Sequence, residues 1–279
     1  MIEAKISLGQ NFLVDQNIIN KIVNSIPINK DSLVIEIGSG MGAITKPVYE
    51  LTKNVIAIEL DQRLVDYLNK DFPELKIIHE DALKVDIDSF INKAQYSNVF
   101  LVSNLPYYIT SPLIEKILKL KKIDYAFLMM EKEVASKIKA KEKNVLSLLV
   151  DLRGKIEVLF DIGPNAFKPK PKVVSSFVKI SYLYENELDE EFYLFLNNLF
   201  LNKRKTLINN LNAIYKKDKK ELEFIFEKLN LDKKIRSEKL GIDEIIKLYK
   251  ELFWWRRKLM EKLIFLCMFM KNVKTDIII

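Results

Sequence analysis

Leu33-Val34-Ile35-Glu36-Ile37-Gly38-Ser39-Gly40-Met41-Gly42 decides the fold of this chain. Its first five residues, mostly β-branched and apolar, predict a buried strand. Three glycines in alternation then predict a turn that a ligand can approach closely, meeting the N–H groups at the start of the helix whose pattern runs from Ala43 to Leu51. The spacing is G-x-G-x-G and differs from the G-x-G-x-x-G of dinucleotide-binding turns. With Glu36 on the strand before it, the pattern suits S-adenosylmethionine (SAM) better than NAD. A tight strand-to-helix turn needs glycine in any case, so the turn alone leaves both a ligand site and plain geometry open.

The next strands supply independent signals. Val55-Ile56-Ala57-Ile58 ends in Glu59-Leu60-Asp61, about twenty residues past the glycine turn, where an acid can accept both hydrogen bonds of a ribose diol. Glu59 is assigned that role, and Asp61 is read as the cap of the following helix, which carries Leu64, Val65 and Leu68 on one face. A third strand, Leu75-Lys76-Ile77-Ile78-His79, leads to Asp81, which is placed to bond an adenine amino group or to sit as a solvated loop carboxylate. His79 lacks a nearby nucleophile and reads as a hydrogen-bonded structural residue.

After the apolar run Val99-Phe100-Leu101-Val102 comes Ser103-Asn104-Leu105-Pro106-Tyr107-Tyr108, then Ile109-Thr110-Ser111-Pro112, which reads as a helix start with a Ser or Thr cap. The hexapeptide therefore lies at the carboxyl end of a strand, where open α/β sheets bind ligands. An Asn beside a rigid Pro and two aromatic rings offers acceptors and a stacking face for a planar group with an exocyclic amine, such as adenine. A Pro turn with core tyrosines explains the same residues. Tyr125 to Met130 reads as a fifth strand and Glu131-Lys132-Glu133-Val134-Ala135 as the next helix. The alternation predicts a mostly parallel, Rossmann-like sheet with helices on both faces.

The whole chain has 279 residues, 49% hydrophobic and 30% charged, which is long enough for a large domain plus a small one. A formal net charge of +7 suits a polyanionic partner such as nucleic acid. One cysteine, Cys267, and one histidine, His79, exclude an internal disulfide framework and a His/Cys metal cluster, so no metal is expected. The amino terminus lacks a signal-peptide core and no run of about 18 apolar residues occurs, so a cytoplasmic protein with no membrane partner is expected.

Outside these strands the patterns are simpler. Gly9-Gln10-Asn11-Phe12-Leu13 reads as a loop ahead of an amphipathic helix ending before Pro27, with Asn11 and Leu13 either leaning over a neighbouring site or stapling the helix. Two strands, at 156–160 and 173–181, flank a Pro-rich loop in which Phe167, Lys168, Lys170 and Lys172 either hold a flipped base and phosphates or sit on a stiffened connection. From Leu188 on, helical periodicity predicts a small all-α domain. There Asn202 to Leu211 reads as a basic helix start, with Lys203, Arg204 and Lys205 touching RNA phosphates or facing water. Further helices are expected near 219–229 and 243–252. The tail from Phe253 to Ile279 fits neither domain: its apolar run 263–270 is too short to span a bilayer.

Taken together, LGQNFL, EIGSGMG, IELD, EDAL, NLPYYITSP, MEKEVA, FKPKPKVVSS and KRKTLINNL resemble, in order and across about residues 7 to 250, the KsgA-type rRNA adenine N6-dimethyltransferases, relatives of the Erm methyltransferases. The resemblance implies a SAM-dependent catalytic domain over 1–182, a helical RNA-binding domain over 183–252 and a tail of unassigned role over 253–279. It implies dimethylation at N6 of two adjacent adenosines in the 3′-terminal hairpin of small-subunit rRNA within an assembling 30S subunit, by a monomer. Asn11, Leu13, Gly38, Gly40, Glu59, Asp81 and Asn104 would line the cofactor and target site. The Asn104 oxygen and the Leu105 carbonyl would take the amine's hydrogen bonds beside Pro106. Tyr107 would stack on the base, with Phe167 on its other face, and Lys168, Lys170, Lys203 and Arg204 would meet the RNA.

The chain departs from the family pattern at Glu80, where Gly is common before the Asp, and at Asn144-Val145, where Tyr-Gly is common. Leu105 after Asn104 and the Arg236-Ser237-Glu238 segment favour the KsgA type over the Erm type. The intact cofactor and NLPYY residues speak against a non-catalytic relative that only binds nucleic acid.

Overall fold

The computed structural model describes residues 2–5, 8–183, 190–202 and 204–253. The described residues divide into two compact units, one running to 141 and continuing over 146–183, the other comprising 142–145 and those from 190 to 253. Tail positions from 254 on, and the readings made of them, lie outside the described residues.

Unit one is built on a seven-stranded sheet. Its strands are β2 (Leu33–Ile37), β3 (Val55–Glu59), β4 (Lys76–His79), β5 (Val99–Asn104), β6 (Tyr125–Glu131), β7 (Gly154–Ile162) and β9 (Ser175–Tyr182), in the order β4-β3-β2-β5-β6-β9-β7. The first five in that order pair in parallel, and β9 lies antiparallel between β6 and β7. β2 and β3 are buried at every position, as a parallel strand covered on both faces must be. Phe100, Val102, Phe127 and Met129 point to one side and join the core formed with α1 (Gln16–Asn24) and α2 (Thr45–Thr52). Leu101 and Leu128, on the opposite side by the strand's period of two, are also fully buried. The crossovers α3 (Gln62–Asp71), α4 (Thr110–Lys119) and α5 (Lys132–Lys139) complete the α/β pattern, and α6 (Val145–Arg153) leads into β7.

Two local expectations change. Phe12–Leu13 is not loop but a two-residue strand, β1, paired antiparallel with β8 (Phe167–Lys168). The α4 start has no side-chain cap; Thr110 instead donates its hydroxyl back to the Pro106 carbonyl at 3.0 Å, because a tight turn at Tyr107–Ile109 precedes the helix. Asp61 caps α3 as expected, accepting from the Arg63 N–H at 3.2 Å.

Unit two is helical where described: α7 (Glu190–Leu199), α8 (Leu207–Tyr215), α9 (Lys219–Lys228) and a helical run at 242–253. Phe192, Phe195, Leu196, Leu211, Phe226 and Leu248 form its buried interior. Buried Asn210 donates to the Asn198 and Leu199 carbonyls, and Ser237 donates to Leu199 at 2.6 Å, so the orphan carbonyls ending α7 are satisfied by side chains. Arg204 and Lys205 lie in the turn before α8 rather than on it. No described helix is long and apolar enough to cross a membrane.

Candidate active site

Strand order reverses at the β2/β5 pair, with β3 and β4 on one side and β6 on the other, and a ligand crevice is expected beyond the carboxyl ends there. A pocket occupies that place. Its wall includes Asn11, Leu13, Gly38, Gly40, Glu59, Asp81, Asn104, Leu105, Pro106 and Tyr107, so strand ends far apart in sequence meet in one cavity.

The half under β2, β3 and β4 is acidic and rich in backbone donors. Gly38 and Gly40 both adopt positive φ, at 75° and 56°, a backbone conformation that strains any side chain. Glu59 is buried, and its carboxylate accepts from the N–H groups of Gly40, Leu60 and Asp61 at 2.9, 2.9 and 3.0 Å. Glu36, also buried, has only the Thr45 hydroxyl at 2.6 Å, and burial pushes its carboxyl up to about 8, with the charge of Glu59 adding to the rise. Asp81 is half-buried and accepts from the Leu83 N–H at 2.9 Å. Glu80, the departure beside it, also lines the pocket and accepts from the Asp81 N–H at 2.8 Å.

Ser39 Oγ is the one buried side-chain polar atom without a hydrogen-bond partner among the described residues, and Ser39 is in the pocket wall. An orphaned hydroxyl, a glycine cradle and strand-end acids fit a polar, partly cationic ligand such as SAM.

The half at β5 is neutral. The Asn104 side-chain amide donates to the Asn11 carbonyl at 3.0 Å. A carbonyl can only accept, so this bond turns the NH2 end of the amide toward Asn11 and leaves Oδ1 as the other end. The Leu105 N–H bonds to the Met129 carbonyl, fixing the peptide that follows Asn104. The Tyr107 hydroxyl shares a 2.7 Å hydrogen bond with Ser175 Oγ, and burial raises its pKa.

The segment 8–13 that closes over both halves is fastened by a residue sequence reading took only as a helix cap. Asp61 accepts from Arg63, Lys5 and Gln10, and the Arg63 guanidinium chiefly holds its carboxyl well below the usual range. Lys5 and Gln10 carry no motif that announces this contact. Gly9 is required here too, because an added side chain would run into the Tyr108 ring at 2.7 Å.

Of Phe167, Lys168, Lys170, Lys203 and Arg204, four are among the described residues and none of these lines the pocket. Phe167 is a correction: it is 4% exposed and packs in the core against β1, so its ring presents no face to a base in this structure. Lys168 at the end of β8 and Lys170 on the loop that follows are exposed, and Arg204 is exposed in unit two. Lys203 lies outside the described residues. His79 bonds the Leu60 carbonyl at 3.1 Å, consistent with a structural role.

Fold and pocket together define a SAM-dependent methyltransferase of the Rossmann-like type. The model of the family "Ribosomal RNA adenine dimethylase" matches residues 1–253, and the chain belongs to that family. A ribosomal RNA small subunit methyltransferase A from Mycoplasma capricolum is 38% identical over 262 residues, covering 90% of this chain and 98% of that protein. The solved dimethyladenosine transferase of Plasmodium falciparum superposes with a TM-score of 0.70 at 27% identity, covering 85% of this chain and 95% of that one. The 23S rRNA methyltransferase ErmE has a TM-score of 0.63 at 21% identity, with 87% and 99% coverage, and shares the fold.

Proposed function

We propose that the enzyme dimethylates N6 of two adjacent adenosines in the 3′-terminal hairpin of 16S rRNA, acting as a cytoplasmic monomer on the assembling 30S subunit. The observation that carries the reading is the oriented Asn104 amide beside the glycine turn at the strand-order reversal. Its Oδ1, with the Leu105 carbonyl, accepts the two N–H bonds of an adenine amine and aims the nitrogen lone pair at the methyl donor. Pro106 holds the turn rigid and Tyr107 stacks on the base. Bound SAM supplies an electrophilic methyl group on sulfur. Glu59 takes the ribose hydroxyls, Asp81 the cofactor's adenine amine, and Gly38, Gly40, Asn11 and Leu13 enclose the rest.

The amine needs no strong base. Positioning and preorganised acceptors for the charge that develops on nitrogen supply most of the acceleration, and the N6 proton passes to water after transfer. Lys168, Lys170, Lys203 and Arg204 contact RNA phosphates, consistent with the +7 net charge. The 38% identity to a small subunit methyltransferase over nearly the whole chain favours this substrate. Mass spectrometry of small- and large-subunit rRNA after incubation with the protein and SAM tests it. Two neighbouring dimethyladenosines in the small-subunit hairpin are expected; modification confined to large-subunit rRNA would overturn the assignment.

A further inference from the structure

The two tyrosines that follow Pro106 are held in different ways. Tyr108 is 55% exposed, with its ring lying over Gly9. Tyr107 lines the pocket, and the far end of its ring is fixed by the 2.7 Å bond to Ser175 Oγ. Ser175 is completely buried and begins β9, where it is registered against Glu131 of β6 and Ile162 of β7. Its hydroxyl therefore sits on a buried backbone position paired on both sides. Burial, with the nearby charge of Glu131, keeps the Tyr107 hydroxyl protonated. A stacking ring anchored at its backbone and at its hydroxyl cannot swing sideways out of its place.

That anchorage bears on the second methylation in particular. A second methylation occurs only if the enzyme dimethylates as proposed above. An unmodified adenine amine has two N–H groups and can be tethered by both the Asn104 oxygen and the Leu105 carbonyl. After one transfer a single N–H remains, so one tether is lost while the same lone pair must again be aimed. In each transfer the nitrogen–carbon bond forms as the sulfonium carbon–sulfur bond breaks, and the displaced N6 proton goes to water. The second event has fewer hydrogen bonds for alignment and relies more on the ring beneath the base. We propose that Ser175 is a positioning residue for the second methyl transfer, holding the Tyr107 ring so that N6-monomethyladenine is stacked in line with the methyl donor.

The test compares Ser175→Ala, Tyr107→Phe and the double variant with wild type on small-subunit rRNA. Nucleosides are quantified at equal total methyl incorporation. At equal incorporation the ratio of monomethyl- to dimethyladenosine reflects the two rate constants and not the amount of active enzyme, so simple loss of folded protein does not move it. Each single variant should raise the ratio roughly fivefold, the scale of one neutral hydrogen bond, and the double variant should raise it no further. A wild-type ratio in either soluble single variant, or multiplied effects in the double, overturns the proposal. If Ser175→Ala does not fold, Tyr107→Phe removes the same bond from the pocket side and decides alone. Wild-type enzyme that makes no dimethyladenosine would instead count against the proposed function.

Discussion

The two halves of the pocket use opposite chemistry. Under β2 and β3 stand two buried acids, Glu36 and Glu59, while at the end of β5 the polar groups are an amide, a peptide and two hydroxyls without net charge. The acidic half suits a ligand that carries positive charge, and the neutral half suits a base. Within the acidic half the donor count differs as well: Glu59 has three backbone N–H groups and Glu36 one hydroxyl. Burial, with a single hydroxyl as donor, keeps the Glu36 carboxyl protonated up to about 8. Under the proposed function the contrast divides the labour: one side holds the donor molecule and the other aims the acceptor.

If that division holds, substitutions on the two sides should fail in different measurements. Asn104→Ala should lose about 3 kcal/mol of transition-state stabilisation, roughly 100-fold in methyl transfer, with SAM binding by calorimetry unchanged. Unchanged turnover would remove Asn104 from the chemistry. Glu59→Ala should weaken SAM binding by about 2 kcal/mol, the worth of a hydrogen bond to a charged group; equal and negligible binding in both proteins would argue for a chain that does not use the cofactor.

Glu36 gives a pH signature. Its folded-state pKa, about 8, lies above the unfolded value near 4.5, so the folded protein binds the extra proton between those values. Stability of the cofactor-free protein should therefore fall as pH rises from about 5 to 8, with a slope of up to about 1.4 kcal/mol per pH unit from this group. Denaturant titrations of Glu36→Gln should show a flatter profile over that range; an identical slope would show that the carboxyl is ionised throughout. The smallest effect lies outside both halves. Replacing Lys168 and Lys170 by Ala should weaken rRNA binding by under about 1 kcal/mol each and lower the salt dependence by roughly one counterion per lysine.

Much of this was legible in the sequence because strand ends are. An apolar run followed by glycine, acid or Asn-Leu-Pro fixes where a strand stops, and parallel topology brings those stops to one edge; Gly38, Glu59, Asp81 and Asn104 met there for that reason. Phe167 misled because its partner is distant: pairing of β8 with β1 turns the ring into the core, and no local pattern announces a two-residue strand closed by a residue near the amino terminus. Ser175 and Asp61 are similar cases. A serine in Val-Val-Ser-Ser looks like any strand residue, and an aspartate after a strand looks like a helix cap, which Asp61 also is. Their further contacts come from residues dozens of positions away.

The β1/β8 pair also sets an order in time. As the chain leaves a ribosome, residues 8–13 emerge long before Phe167 and Lys168, so Phe12 and Leu13 find their strand partners only after those two have been made. The central strands can pair with near neighbours much earlier, because contacts close in sequence form at lower entropic cost. The wall of the pocket that touches Asn104 is thus synthesised before its strand partners and set in place late. An enzyme interrupted before residue 168 would own its glycine turn and its Asn-Leu-Pro turn without the pairing that holds the strap across them.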